Sequence, residues 1–352
     1  MTTSQTRFLF NRPGALIAAL PAVLGFVPEK SLVLVSLNRG ELGSVMRVDL
    51  STPMSDNLAH IAEVAAAARP DAAIAVIVDA DGAHCPMCAQ EFHELTNELT
   101  DTLDAHGISL IAAHVVDRVA PGGHWQCADG CGAGGAVDDP AASPLAMAAV
   151  LDGRRLYTRR QELQDVIASD NAARCERLAG LIAARLDSDD GGRRERADDC
   201  AGRDVEQAIA AAGKVFDGAA LSDAELVELA CALTDIRVRD TLYALAVGEN
   251  AAQAEALWSL LARALPEPWR VEPLVLLAFS AYARGDGPLA GVALDAALRC
   301  DGEHRMAGML DTALQSGLRP EAIRELATTG YRLAARLRVR LPRRRAFGRW
   351  PR

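Results

Sequence analysis

The sequence predicts an α/β domain, a mixed sheet with flanking helices, followed by an all-α domain that resembles a helical repeat. Short β-branched apolar runs alternate with helical segments in the first third of the chain, and the pattern is helical throughout from Pro144. The chain has 352 residues, which is more than a single core usually holds. With 50% hydrophobic and 24% charged residues, the composition is that of a globular protein.

An apolar run from Ala15 to Val27 opens the chain after Arg7 and Arg12. Pro21 and Gly25 interrupt it, and it is too short to span a bilayer. No A-x-A cleavage pattern follows, so the run does not read as a signal peptide. We therefore expect a buried helix that leads into the first strand, a cytoplasmic protein and no transmembrane segment.

A strand pattern follows this helix. The run SLVLVSL at Ser31–Leu37, the turn residues of 38–43 and the resumed pattern at Ser44–Val48 predict a β-hairpin. The continuous apolar run at Ala73–Val78 suits a strand buried on both faces, and Ser109–Val116 is expected to form another strand. The helices between them are expected at Asp56–Ala68 and Glu91–His106. Alternation at this spacing implies crossover connections, which are right-handed and bring two strands parallel.

The second half of the chain reads as helices. We place the α/β domain and its trailing helices at 1–187, a polar linker at 188–202, a helical domain at 203–330 and a basic tail at 331–352. Ser222 and Glu225 form a capping box, with Leu221 and Leu226 placed for a hydrophobic staple. Further helices are expected near Val238, Ala251, Leu274, Leu289 and Arg305.

The segment Leu277–Leu298 has the small-residue spacing of one tetratricopeptide-like helical pair. Tyr282 is one place out of register, and Gly302 stands where a proline is usual. A single unit cannot bury its own face. We therefore expect an irregular helical repeat domain that binds a protein partner.

Several segments carry a family resemblance. They are PGALIAALPAVLGFVPEKSLVLVSL, RVDL at 47–50, the loop from Trp125 to Cys131, and SPLAMAAVLDGR at 143–154. The chain resembles the actinobacterial family catalogued as domain of unknown function 4192, over most of its length up to about residue 330. The resemblance implies fold and lineage, and it brings no catalytic residue with it.

Charge is unevenly distributed along the chain. The formal net charge is −10, yet nine of the 37 basic residues lie in the last 22 positions, which hold no acidic residue. The rest of the chain therefore carries about −19, which argues against general nucleic-acid binding by the globular part. The Arg-rich tail is a candidate for nucleic-acid or anionic-membrane contact, or for a solvated terminus.

Two cysteine pairs are the main candidates for chemistry. Cys85 and Cys88 follow the Ala73–Val78 strand, and Cys127 and Cys131 follow the next strand and a PGG turn. Since the ends of parallel strands share one edge of a sheet, a turn that folds back would bring the pairs together. Four thiolates suit tetrahedral zinc, and His84, His93 and His124 are reserve ligands.

Two other interpretations of the cysteines stay open. Cys85-x-x-Cys88 stands between a strand and a helix, as in thiol oxidoreductases, where the helix N-terminus lowers the pKa of the first thiol. Alternatively, the pairs are unligated thiols that share no site. Asp79 and Asp81 offer two carboxylates for Mg²⁺, but such Asp/Gly stretches are more often turns.

The function expected from the sequence is a non-enzymatic interaction or scaffold protein. Its structural zinc would be held by Cys85, Cys88, Cys127 and Cys131. The alternative is a thiol-disulfide oxidoreductase in which Cys85 attacks and Cys88 resolves.

Overall fold

The protein is described by a computed structural model that covers residues 12–50, 54–151, 154–169, 171–190 and 198–345. It forms two compact units. The described part of the first unit runs to Glu162 and also includes Gln315–Gly317, whereas the second unit begins at Leu163, within helix α5 (Arg160–Asp165), and takes in the remaining described residues. The predicted linker at 188–202 includes residues 191–197, which lie outside the described ranges, so that linker stays a prediction. Over the described ranges, no helix is both long and apolar enough to cross a membrane.

The described part of the first unit contains a six-stranded mixed sheet, which confirms the predicted fold class. The strand order is β2-β1-β3-β4-β5-β6. The pairs are antiparallel except β3 with β4, which are parallel, as a crossover connection requires. The strands are β1 (Ser31–Asn38), β2 (Glu41–Asp49), β3 (Ala72–Val78), β4 (Ser109–Val116), β5 (His124–Cys127) and β6 (Gly134–Ala136).

Helices cover both faces of this sheet. On one face, Leu58 and Phe92 belong to a buried cluster with Leu34, Ile77 and Val115 of the strands. This double cover explains why β1 and β3 read as continuous apolar runs and not as alternating ones. The helices of this unit are α1 (Pro13–Leu24), α2 (Met54–Ala67), α3 (Pro86–Asp104) and α4 (Pro144–Leu151), with a 3₁₀ turn at Pro140–Ala142.

On the other face lie α1 and α4. Leu16 and Leu20 of α1 border a small apolar gap together with Val35 of β1 and Leu145 of α4. The α1 helix is almost wholly buried, which confirms the expected buried helix before the first strand. Gly25 ends it with φ 77°, in the left-handed region that glycine tolerates.

The second unit is helical over its described residues. The predicted capping box begins α8: Ser222 Oγ accepts from the backbone N–H of Glu225, and the Glu225 carboxylate accepts from the backbone N–H of Ser222. Leu221 and Leu226 are both buried. After the 3₁₀ turn at Tyr243–Val247, the helices continue to Arg336. The helices are α6 (Ala172–Asp190), α7 (Asp198–Phe216), α8 (Asp223–Leu233), α9 (Ile236–Leu242), α10 (Ala251–Ala264), α11 (Val271–Arg284), α12 (Gly287–Cys300), α13 (Arg305–Gln315) and α14 (Pro320–Arg336).

Helices α11 and α12 form the pair in which the sequence shows tetratricopeptide-like spacing. Gly285 ends α11 with φ 87°, and the Asp286 side chain caps α12 by accepting from the N–H of Leu289. Ala278, Ala290 and other small residues of the two helices are buried. The helix pair is present, and its kinship with tetratricopeptide repeats stays a prediction.

The basic tail packs on the second unit as far as Arg345. Tyr331 Oη donates to the carbonyl of Pro342 at 3.0 Å. The backbone N–H of Arg345 donates to the carbonyl of Val247 at 2.8 Å, and that of Glu249 donates to the carbonyl of Arg343 at the same distance. Residues 346–352, with the aromatic end of the tail, lie outside the described residues. This packing gives no indication that the tail contacts nucleic acid or a membrane, and that contact stays a prediction.

Candidate metal centre

A tight turn sets the register between β4 and β5. The carboxylate of Asp117 accepts from the backbone N–H groups of Arg118 and His124, at 2.6 and 2.8 Å. A Cβ at Gly123 would lie 2.2 Å from the carbonyl oxygen of Arg118, so the turn needs glycine there. The resulting antiparallel register places Cys127 directly opposite His114.

Alternation along β5 sends neighbouring side chains to opposite faces of the sheet. Gln126 Nε2 donates to the carbonyl of Ala83 at 3.1 Å, on the face covered by α3. Cys127 is therefore on the other face, where its Sγ lies 3.9 Å from Nδ1 of His114. His114 is buried, with 5% of its surface exposed, and its ring meets that of Trp125 edge-on with 5.0 Å between centroids.

A short loop after β5 gathers three potential metal ligands. The loop contains Cys127, Asp129 and Cys131, and one potential ligand atom from each side chain lies within 4.8 Å of the other two. Over the described residues, this is the group of three or more such side chains that could hold a metal ion. The Asp129 carboxylate accepts from the backbone N–H of Cys131 at 2.9 Å. Gly130 and Gly132 have φ of 73° and 78°, which lets the loop wrap around a centre. This cluster could hold a metal ion.

The surroundings of these groups shift their proton affinities. Burial raises the pKa of the Cys127 thiol to about 11, and the hydrogen bond with Cys131 adds to the effect. The backbone N–H of Cys131 lowers the pKa of Asp129, whereas burial lowers the pKa of His114. The raised pKa of Cys127 means that its thiol must lose a proton when a metal binds, whereas the lowered pKa of Asp129 favours the carboxylate form.

Cys85 and Cys88 form a separate pair at the start of α3. Cys85 is the N-cap residue of that helix, with Pro86 at its first position. The backbone N–H of Cys88, then the Cys88 thiol, lower the pKa of Cys85. Donating that hydrogen bond raises the pKa of Cys88. The pair thus contains one thiol with a lowered pKa and one with a raised pKa.

The structure brings each predicted cysteine pair together but does not merge the two pairs. Cys85 and Cys88 do not belong to the group formed by Cys127, Asp129 and Cys131. The physical reason is the alternation of β5, since the side chain that reaches the turn before α3 is that of Gln126. The four-thiol centre stays a prediction. Of the reserve ligands, His84 is exposed and has its Nε2 3.8 Å from the Asp117 carboxylate.

A cavity of about 960 Å³ lies between the first turns of α3 and the β5–β6 hairpin. Its size is that of a small-molecule site. His84, His93, His124, Gln126, Cys127 and Asp129 are among the residues that line it. The reserve histidines therefore gather around this cavity, whereas His114 lies on the opposite face of the sheet.

Asp129, a member of the cluster, and His114, which lies beside Cys127, were not anticipated from the sequence. Asp129 carries a local signal, because Cys-x-Asp-x-Cys places a carboxylate between two thiols in a glycine-rich loop. His114 carries none, because it stands in an apolar strand segment and meets Cys127 only through the pairing of β4 with β5.

Comparison with known proteins identifies a family for this chain through a family model. No curated protein and no solved structure matches the chain significantly. A family model described as Domain of unknown function (DUF4192) matches residues 13–321, a range that contains both cysteine pairs and most of the helical unit. The chain therefore belongs to the DUF4192 family.

Proposed function

We propose that this chain is a non-enzymatic interaction or scaffold protein whose β5–β6 loop binds zinc through Cys127, Asp129 and Cys131. The observation that supports this is the convergence of the three ligand atoms within 4.8 Å of one another. Two thiolates favour zinc over the hard cations Mg²⁺ and Ca²⁺, which prefer oxygen ligands. Zinc has no redox chemistry of its own, which suits a structural role.

The loop itself gives a reason for a structural metal. Asp129, Cys131 and the glycines around them are exposed, so the loop gains little from burial of apolar surface. Strand β6 has three residues, two of them glycine, and is therefore weakly specified by its side chains. Coordination of zinc would supply the free energy that orders this segment.

Zinc content of the purified full chain tests the proposal. We expect about one zinc per chain after loading, removable by a chelator, with release of protons on binding. The double variant Cys127→Ser/Cys131→Ser should lose the zinc, and the matched double variant Cys85→Ser/Cys88→Ser should keep it. Loss in both variants would favour the four-thiol centre expected from the sequence. A wild-type chain that takes up no zinc refutes the proposal.

A second candidate function is thiol-disulfide exchange at Cys85 and Cys88. It is favoured by the position of Cys85 at the helix N-terminus and by its lowered pKa, beside a Cys88 whose pKa is raised. The Cys85 thiolate would attack a disulfide of a partner and expel one partner thiolate. Once the released partner thiolate has taken up the Cys88 proton, the Cys88 thiolate would attack the Cys85 sulfur of the mixed disulfide and release the second partner thiolate. The partner disulfide gains two electrons, and the Cys85–Cys88 dithiol is oxidised to a disulfide.

Oxidised glutathione distinguishes this candidate from inert thiols. We expect the wild-type chain to form the Cys85–Cys88 disulfide and the Cys88→Ser variant to accumulate glutathione on Cys85. The Cys127→Ser/Cys131→Ser variant serves as the control and should react as the wild type does. A Cys88→Ser chain that carries no glutathione on Cys85 would rule the exchange out.

The proposed role also includes binding of a protein partner by the helical unit and a cytoplasmic location. Large apolar side chains on the surface of this unit, including Phe216, Ile236 and Met309, are more than half exposed. Such residues are candidates for contact with a partner. A reducing compartment would keep the cysteines available as thiols for a metal.

A further inference from the structure

The imidazole of His114 is a potential nitrogen ligand that lies outside the proposed zinc loop and beside one of its thiols. His114 stands directly opposite Cys127 across β4 and β5, and its Nδ1 lies 3.9 Å from Cys127 Sγ. In a tetrahedral zinc centre with Zn–S of about 2.3 Å and Zn–N of about 2.0–2.1 Å, a sulfur and a nitrogen ligand are roughly 3.6 Å apart. The Cys127 and His114 atoms are therefore already close to the separation that one zinc ion requires. His114 lies outside the group of three ligand atoms within 4.8 Å, so the loop would have to move towards the imidazole to complete the site.

The surroundings hold the His114 ring in place. The indole of Trp125 meets it edge-on, at an interplanar angle of 72°. The indole packs closely against Gly135, since a Cβ at that position would lie 3.2 Å from Trp125 Nε1. A ring fixed in this way loses little freedom when it binds a metal.

We propose that His114 is the fourth zinc ligand, which makes the centre a closed site of two cysteines, one histidine and one aspartate. This inference rests on the proposed zinc function and deepens it. Four protein ligands leave no position for a reacting water, which is the pattern of structural sites. The metal would then tie the exposed loop to β4, an interior strand of the sheet.

The reserve histidines are less well placed. His124 is separated from Gln126 by one residue on β5 and so shares its face, opposite to that of Cys127. His84 is 68% exposed and lies beside Asp117. His93 belongs to α3 and lines the same cavity as Cys127 and Asp129, but it is not part of their group of ligand atoms.

X-ray absorption at the zinc edge of the loaded full chain tests the inference. We expect two sulfur ligands at about 2.3 Å, two nitrogen or oxygen ligands at about 2.0–2.1 Å, and the outer-shell scattering of one imidazole. His114→Ala should remove the imidazole signal and weaken zinc binding by at least about 100-fold, more than the loss of an outer-shell partner costs. His124→Ala is the matched control and should change neither measurement.

A further variant covers the case in which His114→Ala does not fold. The triple variant His84→Ala/His93→Ala/His124→Ala leaves His114 in place and should keep the imidazole signal. Loss of the signal in the triple variant, or its persistence in His114→Ala, would overturn the assignment. A shell of four sulfurs would overturn it too, while leaving zinc binding intact and pointing to Cys85 and Cys88. A chain that binds no zinc would remove the proposed function and this inference together.

Discussion

The side-chain amide of Gln126 donates a hydrogen bond to the carbonyl of Ala83, which joins the hairpin of the candidate centre to the turn before Cys85. Because the next residue, Cys127, points to the opposite face of β5, the contact also separates the two cysteine pairs. Each pair therefore has its own environment: Cys85 has a lowered pKa, and Cys127 has a raised one.

Disulfide mapping of the oxidised, metal-free chain should reflect this separation. We expect Cys85–Cys88 and Cys127–Cys131 disulfides and no disulfide between the two pairs, because the two pairs do not form one group of ligand atoms and Gln126, not Cys127, reaches the turn before α3. In the variant Gln126→Cys/Cys127→Ser, the thiol moves to the α3 face, and we expect a cross-link to Cys85 or Cys88. Mass spectrometry of the digested protein distinguishes these products. A Cys85–Cys127 disulfide in the wild-type chain would contradict the geometry.

Alkylation rates should differ strongly between Cys85 and Cys127. The thiolate is the reactive form, so the lowered pKa of Cys85 predicts fast reaction at pH 7. With a pKa of about 11, only about one Cys127 in ten thousand is a thiolate at that pH. Iodoacetamide labelling followed by mass spectrometry should show Cys85 modified first and Cys127 modified rapidly only above about pH 10.

Cys88→Ala provides the control for this prediction. It removes the thiol that donates to Cys85, so the midpoint of the Cys85 rate against pH should rise. The backbone N–H of residue 88, the larger cause, is retained, so the midpoint should still lie below the ordinary value of 9.0. Equal rates at Cys85 and Cys127 in the wild-type chain would contradict both pKa directions.

Much of the fold could be predicted from local sequence patterns. The apolar runs that became β1, β3 and β4 have lengths and flanking turns typical of buried strands. The capping box at Ser222 and Glu225 is a local signal that tertiary contacts did not override. Strand β6 was not anticipated, because Gly-Gly-Ala has no pattern, and its pairing depends on β5.

The candidate site was only partly predictable for a physical reason. Spacing along the chain correctly pairs Cys127 with Cys131 and Cys85 with Cys88. Whether one pair meets the other depends on the face of the sheet to which Cys127 points. A shift of one residue in register reverses that face. The register is set by the turn at Asp117, through hydrogen bonds from the backbone N–H groups of Arg118 and His124. The spacing of the cysteines along the chain does not predict these hydrogen bonds.

Two glycines of α7 offer a matched test of how the tail packs. A Cβ at Gly202 would lie 2.8 Å from the backbone carbonyl oxygen of Leu337, whereas a Cβ at Gly213 has no neighbour within 4 Å. Gly202→Ala should therefore destabilise the chain by about 1–3 kcal/mol through overpacking. Gly213→Ala should be neutral or stabilise it by up to about 1 kcal/mol through helix propensity. Urea denaturation of both variants measures the difference, and equal stabilities would show that Leu337 does not pack on α7.

The capping box of α8 predicts how one carboxylate responds to acid. The backbone N–H of Ser222, then Lys214 and the Ser222 hydroxyl, lower the pKa of Glu225 from its ordinary 4.5 to about 2. Because the pKa in the folded state is below that of the unfolded chain, the contribution of Glu225 to stability is complete above about pH 4.5. It is lost as the pH falls from 4.5 towards 2. Carboxyl NMR of the labelled protein should show Glu225 titrating near pH 2.

Variants separate the causes of this shift. Glu225→Gln should lower the urea midpoint at pH 6, and its difference from the wild-type chain should shrink as the pH approaches 2. Lys214→Met removes the 3.0 Å ion pair but keeps the larger contribution of the Ser222 backbone N–H. Most of the pKa shift should therefore survive in that variant. A Glu225 that titrates near 4.5 in the wild-type chain would mean that the capping box does not hold the carboxylate in solution.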